Sequence, residues 1–249
     1  MARLAIAACT IAGNFTGSKQ HIPTMKKTLA GLMFLLPLAL IGQAQIKYGA
    51  MAGANFSHPD LGSNSSAEKW STGFYVGGLA DITLHKYFSL QPGLQLSSKP
   101  YSVKGVSTDP TGVNPVTTQF KTKATPYYIE LPVNLVGKMA LGHGQAFVSA
   151  GPYLAYGIAG KTKSQTTNSM AGVTPQTHTF NDNIKWGNSK EDFLKPLDFG
   201  FNFGLGYQLK NGFLVNGGYQ LGLTNLSQTI TGNYHYKNRM FRLGIGYLF

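Results

Sequence analysis

The chain of 249 residues carries a formal net charge of +12, yet only 12% of its side chains are charged, 12% are aromatic and 31 are glycine. Without a long acidic tract or a low-complexity run it reads as one folded domain after processing, which excludes a disordered chain. Its only cysteine, Cys9, lies before the expected cleavage point, so disulfides and thiolate–metal centres are excluded from the mature protein.

Residues Met1 to Thr24 read as an over-called N-terminal extension, with Met25 as the true initiator. Met25-Lys26-Lys27 is a basic n-region, Thr28 to Ile41 is apolar, and Gly42-Gln43-Ala44 supplies the small residues needed before a signal-peptidase cut, placed after Ala44. The apolar run is interrupted by Pro37 and falls short of the roughly 18 residues that a membrane-spanning helix needs. Residues 25–44 are therefore a signal peptide and 45–249 the mature domain, in which 17 basic residues face nine acidic ones. The lysines are scattered through expected loops with no basic helix, so nucleic acid is not an expected partner.

Eight segments alternate in character and are separated by turn residues. They are Ile46–Phe56, Ser71–Thr83, Tyr87–Val103, Phe120–Gly137, Gln145–Gly160, Lys195–Leu209, Gly212–Thr224 and Arg239–Phe249. The sixth alternates most clearly: Leu197, Phe199, Phe201, Phe203, Leu205 and Tyr207 share one face, and Asp198, Gly200, Asn202, Gly204, Gly206 and Gln208 the other. The third and fourth repeat the rule, while the first is weaker because Ala50, Ala52 and Ala54 fill its apolar face. The last segment ends the chain on Phe241, Leu243, Ile245, Tyr247 and Phe249, interleaved with Met240, Arg242, Gly244, Gly246 and Leu248. A terminal aromatic on such a strand is the expected assembly signal for insertion into an outer membrane.

The connections alternate in length. Leu84-His85-Lys86, Lys138–Gly144 and Lys210-Asn211 are short, whereas Ser57–Trp70, Lys104–Gln119, Lys161–Leu194 and Asn225–Asn238 are long. Outer-membrane barrels place short turns in the periplasm and long loops outside. Aromatics near segment ends fit two interfacial girdles: Phe88, Tyr207, Phe213, Tyr247 and Phe249 below, Phe56, Phe74 and Phe193 above. A soluble eight-stranded barrel shares the period of two but turns its apolar face inward. The signal peptide, girdles and small polar second face place lipid outside. The expected fold is an all-β, eight-stranded antiparallel up-and-down transmembrane β-barrel, with its third to fifth strands projecting beyond the membrane.

Tyr128-Ile129-Glu130-Leu131-Pro132-Val133-Asn134-Leu135, Gly151-Pro152-Tyr153-Leu154-Ala155-Tyr156 and Gly217 to Leu226 resemble the PorT-like outer-membrane barrel family of Bacteroidota-type bacteria. The closing stretch Phe241 to Phe249 resembles it too, and the likeness spans roughly Gln45 to Phe249. It implies an eight-stranded barrel inserted by the outer-membrane assembly machinery through its last strand. It implies no reaction. The founding member works with the type IX secretion apparatus, and Met1–Thr24 departs from the family pattern.

On this register Lys47, Tyr75, Asp81, Glu130, Asp198 and Arg242 point inward. Buried charges are costly unless paired, so Glu130 and Asp198 are expected to pair with Arg242 or Lys47, and Glu130–Arg242 to bridge part of the lumen. The alternative use of such a network is a gated ion path. The outer loops hold His58 with Asp60, His178 with Asp182, and His235, but these spacings form no nucleophile–base–orienter set. Asp109-Pro110-Thr111-Gly112 is a turn sequence. No metal-ligand spacing or nucleotide fingerprint occurs, so no cofactor or metal is expected and the protein is not an enzyme. Phe180, Trp186 and Phe193 make the third outer loop, otherwise polar and mobile, the candidate binding loop.

The expected protein is a monomeric outer-membrane barrel of a Gram-negative bacterium with a side-chain-filled lumen and a structural or surface-interaction role. Its expected partners are outer-membrane lipid, lipopolysaccharide and the barrel assembly machinery. The runner-up reading is an envelope component that assists secretion or transport, with further envelope proteins as partners, and the third is a small pore.

Overall fold

The computed structural model describes residues 45–61, 70–109, 115–170, 173–189, 192–227 and 235–249. The expected N-terminal extension, the signal peptide with its cut after Ala44, Cys9, Lys69, Lys190 and the Pro110-Thr111-Gly112 part of the expected turn lie outside the described residues.

The strands are β1 (Ile46–Ser57), β2 (Ser71–His85), β3 (Phe88–Ser98), β4 (Tyr101–Asp109), β5 (Val116–Leu141), β6 (Gly144–Met170), β7 (Val173–Asn183), β8 (Leu197–Leu209), β9 (Phe213–Gly222) and β10 (Arg239–Leu248). Eight of them close a ring of antiparallel neighbours in the order β1, β2, β3, β5, β6, β8, β9, β10 and back to β1. Closure matters because an open sheet edge in lipid would leave backbone groups without partners. The seam runs from Gly49 opposite Leu248 to Ser57 opposite Met240, and the Phe249 amide donates to the Tyr48 carbonyl at 2.8 Å.

Ten strands make eight staves because two staves are interrupted. The expected third segment, Tyr87–Val103, breaks at Lys99-Pro100 into β3 and β4, both paired with β5. Proline has no amide hydrogen to give a ladder, and the Lys99 amide donates instead to the Pro126 carbonyl at 3.1 Å. At the other interruption, β7 takes the place of β8 beside the outer half of β6.

Two expected outer loops are corrected here. Lys104–Gln119 and Lys161–Leu194 do not read as strand in the sequence, yet β4 reaches Asp109, β5 starts at Val116, β6 runs to Met170 and β7 follows it. The four form a sheet that stands above the ring, with β5 and β6 at 26 and 27 residues, far beyond the 9–11 or so that span a bilayer. Hydrophobic alternation cannot mark these stretches because both faces are polar. They are held by backbone pairing and by hydroxyl and amide contacts across strands, such as Thr122–Ser164 at 3.1 Å, Thr118–Asn168 at 3.0 Å and Thr167–Thr177 at 2.9 Å.

Two short connections differ in length from expectation, one tighter and one a residue longer. Lys138–Gly144 shrinks to a turn at Gly142-His143, where Gly142 has φ +57°, and the Lys210-Asn211 turn ends on Gly212 at φ +93°. Both glycines adopt a left-handed backbone that a side chain would strain.

The period of two holds around the ring. Leu94, Leu131, Leu154, Phe203, Val215, Leu243 and Ile245 are exposed on the outer wall, while Ser89, Glu130, Tyr153, Asp198, Gln220 and Asn55 are buried inside. Polar side chains in the interior and apolar ones outside invert the pattern of a soluble barrel.

Adjacent glycines report how closely the wall is packed. A Cβ on inward-facing Gly77 would strike the Leu94 carbonyl and the Gln95 backbone, whereas on Gly78 its nearest neighbour is the Gly49 carbonyl at 3.6 Å. Gly77→Ala should therefore cost about 1–3 kcal/mol as an overpacked position, and Gly78→Ala less than about 0.5 kcal/mol. Urea unfolding in lipid vesicles checks this; equal losses at the two sites would contradict the packing described.

Candidate functional site

Every strand of the ring sends a buried or half-buried side chain into the lumen. Asn55 comes from β1, Tyr75 from β2, Gln95 from β3, Glu130 from β5, Tyr153 from β6, Asp198 from β8, Gln220 from β9 and Arg242 from β10. At its centre is Lys99, from the break between β3 and β4, with no solvent exposure. Its Nζ lies 3.0 Å from Glu130 Oε2 and 3.0 Å from Asp198 Oδ2. The ammonium also sits 4.5 Å from the Tyr153 ring centre and 5.0 Å from that of Tyr128, so aromatic faces complete its surroundings.

The two carboxylates have further donors. Glu130 Oε1 accepts from Arg242 Nη1 at 3.2 Å, from Gln220 Nε2 at 2.8 Å and from Gln95 Nε2. Asp198 Oδ2 accepts from Asn238 Nδ2 at 2.7 Å and from the Tyr153 hydroxyl at 3.1 Å. Arg242 closes the circuit: Nη2 donates to Gln95 Oε1 at 3.0 Å, and its guanidinium lies 3.9 Å from the centre of the Tyr75 ring. Two cations and two anions share the layer, so it is neutral as a unit. That balance is what makes charge tolerable in so narrow an interior.

Of the inward residues named from the sequence, the structure brings Glu130, Asp198 and Arg242 into one network with Tyr75 beside it, and Glu130 and Arg242 are in contact. Asp81 is buried lower down, where Lys138 forms its ion pair and Gln91 Nε2 donates to it at 3.3 Å. Lys47 stands opposite Asp81 in the β1–β2 register but is exposed at the lower rim, lining a recess of about 170 Å³ that Asp81 and Lys138 share. The expected pairing of Lys47 with Glu130 or Asp198 is thus corrected, because the height of residue 47 on β1 keeps it a full rim away from them. Lys99 was missed, although the alternation Gln91, Gly93, Gln95, Ser97 carried two residues further lands on it. Between the central layer and the lower rim is a cavity of about 100 Å³ lined by Tyr75, Gln91, Asn134, Asn216 and Arg242.

An apolar cap lies above the charged layer. Tyr101, Ala124, Ile184, Leu194, Leu226 and Tyr236 form one buried cluster, with Trp186 packed against it and edge-on to Tyr128 at 5.2 Å. Burial pushes the Tyr101 and Tyr236 hydroxyls well above the usual phenol range, so the cap stays uncharged. Trp186, expected as a candidate binding residue, is instead half-buried, its indole packed inward against this cluster and Tyr128. Phe180 and Phe193 remain exposed and line one outer recess with Asp182 and Asp192.

The histidines of the outer loops are dispersed. His58 stacks against Trp70 at 5.0 Å, and His178 is exposed on β7. His235 Nε2 lies 2.8 Å from Asp60, whose other oxygen accepts from Arg239 at 2.7 Å, tying the last outer loop to the first. Phe241, Leu243, Ile245, Tyr247 and Phe249 are all exposed on the outer wall.

Lys99→Met removes the cation shared by two buried carboxylates and should cost about 3–5 kcal/mol. Adding Asp198→Asn in that background should restore part of the loss, since it removes an uncompensated charge. Unfolding in lipid vesicles distinguishes this from the alternative, in which the two losses simply add.

Residues 42–228 match the family described as outer membrane protein beta-barrel domain. No curated protein matches the chain. Among solved structures it is similar to the attachment invasion locus protein Ail of Yersinia pestis, with 14% identity, a TM-score of 0.38 and coverage of 82% of this chain and 98% of Ail. It is also similar to Neisserial surface protein A, with 12% identity, a TM-score of 0.34 and coverage of 81% and 97%. For the N-terminal β-barrel domain of Pseudomonas aeruginosa OprF the values are 11%, 0.27, 83% and 100%. The family match spans most of the chain and agrees with the closed, lipid-facing ring: the protein belongs to the outer membrane protein beta-barrel domain family and resides in the outer membrane of a Gram-negative bacterium.

Proposed function

We propose that this barrel is a sealed, non-enzymatic scaffold that displays its outer sheet at the cell surface. The observation that carries the reading is the network around Lys99, in a lumen into which all eight ring strands send a buried or half-buried side chain. An ion entering it must displace a paired charge from partners about 3 Å away, and the Tyr101–Trp186–Tyr236 cap lies over the same path. Eight strands leave room for side chains and little else. The non-enzymatic reading rests on the dispersal of the histidines: Asp60 binds His235 and Arg239 as a clasp between loops, with no nucleophile in that set.

Within the family, the Glu130-Leu131-Pro132 and Tyr219-Gln220-Leu221-Gly222-Leu223-Thr224-Asn225 stretches resemble the PorT-like branch. That resemblance supports a second reading, a component of an envelope complex that assists secretion. Crosslinking intact envelopes and purifying the barrel separates the two: a stoichiometric secretion partner favours the second, a barrel recovered alone the first.

Refolded wild-type protein in planar bilayers should give no unitary current steps above the leak. Stable steps from the unmodified chain would replace the sealed scaffold with the small pore.

A further inference from the structure

The outer sheet has two faces, and its positive charge lies on one of them. Along β5 the residues that face lipid are Leu131, Ile129 and Tyr127; the same face continues upward through Thr125, Lys123 and Lys121. On β6 the lipid face passes through Leu154, Tyr156 and Ile158, and after the register shift beside Tyr127/Tyr128 it continues through Lys161 and Lys163. In the ladder Lys123 stands directly opposite Lys163, Lys161 opposite Thr125, and Lys104 of β4 opposite Lys121. All five lysines are exposed, and Lys104 and Lys121 also make contacts of their own. Among the described residues of this sheet the two carboxylates, Asp109 and Asp182, occupy positions of the opposite parity and so point to the other face.

Like charges directly opposite one another destabilise a sheet. Packing offers no reason to set Lys123 against Lys163, since both are on an open wall; an anion lying between them would turn the repulsion into attraction. The height of the patch says which anion. At about 3.3 Å per residue and a tilt near 40°, Lys161 lies about 5 Å and the Lys123–Lys163 pair about 10 Å above Tyr127. The headgroup region of one leaflet is about 5–8 Å deep, so the ammonium groups reach the headgroup layer and the space just above it. Beneath them Tyr127, Tyr156 and Ile158 give acyl chains an aromatic and aliphatic wall, Tyr156 and Ile158 exposed and Tyr127 half-buried against Phe74 at 6.3 Å.

We infer that Lys123, Lys161 and Lys163 form a binding site for the phosphate groups of an outer-leaflet glycolipid, with its acyl chains on the wall below. The inference deepens the surface-interaction reading above and rests on it. A soluble polyanion is the less favoured occupant, because the patch faces sideways over the lipid and not upward from the rim of the hairpin.

The test uses the full mature chain refolded in phosphatidylcholine nanodiscs with either bisphosphorylated or fully dephosphorylated lipid A, the retained lipid being counted by native mass spectrometry. Wild type should retain the bisphosphorylated form selectively. The combined change Lys123→Gln, Lys161→Gln and Lys163→Gln should weaken retention about a hundredfold, at roughly fivefold per cation near a charged surface, while changing all three to Arg should preserve it. If the triple Gln chain fails to fold, Lys161→Gln alone should show roughly the fivefold loss. Equal retention by wild type and the Gln variants, equal binding of dephosphorylated lipid, or loss of heparin binding with lipid retention unchanged would each overturn the site. Bilayer currents from wild type would count against the sealed lumen without altering the lipid count, so the two failures are distinguishable.

Discussion

The seam between β1 and β10 is the contact on which the rest of the molecule depends. In lipid an unpaired strand edge is too costly to persist, so the first and last strands must meet, and their register determines every height in the barrel. With Asn55 opposite Arg242 and Phe56 opposite Phe241, the inward side chains of the two ends fall at the level of Glu130 and Gln95 from the far wall. A slip of one residue would turn Arg242 to lipid and Phe241 to the lumen, since the side-chain period is two.

Once the ring is closed, the interior poses an electrostatic problem with few solutions. Lys99 and Arg242 cannot be left alone with apolar neighbours, and neither can Glu130 or Asp198. The arrangement found shares each charge: Glu130 lies between both cations, Lys99 between both anions, and the amides of Gln95, Gln220 and Asn238 donate to the carboxylates, leaving Asp198 Oδ1 without a hydrogen-bond partner. The break at Lys99-Pro100 serves this network. It ends the β3 ladder at the level where Lys99 turns inward, and it lets β4 lean over the mouth so that Tyr101 joins the cap. The backbone break and the placing of Lys99 and Tyr101 are thus one feature.

Much of the ring was legible in the residues because lipid imposes a simple rule on them. Phe199 to Leu205 outside and Asp198 to Gly204 inside can be read by eye, and the closing Phe241-to-Phe249 alternation likewise. The central ion pair was partly legible for the same reason: inward parity puts Glu130 and Arg242 in the lumen, and charge demands a partner. Lys99 was harder: it continues the inward parity of Gln91 to Ser97, but its partners Glu130 and Asp198 lie on other strands. The outer sheet was hidden more completely. Threonine and serine on both faces and lysine on one leave no hydrophobic period to follow, and backbone pairing is invisible in composition. Trp186 misleads for a related reason, since an aromatic residue in a polar loop looks like a surface anchor until a hollow appears beneath it.

The sequence by itself determined the fold class, the membrane, the side of each strand that faces lipid and the separation of short turns from long connections. These follow from alternation, which is a property of neighbours along the chain. Only the tertiary structure decided that Lys99 holds Glu130 and Asp198 together, that Lys47 stays at the rim while Lys138 takes Asp81, and that Lys123, Lys161 and Lys163 share one wall. Those are relations between staves. They depend on relative height around a closed ring, which the pairing register sets and which no single strand contains.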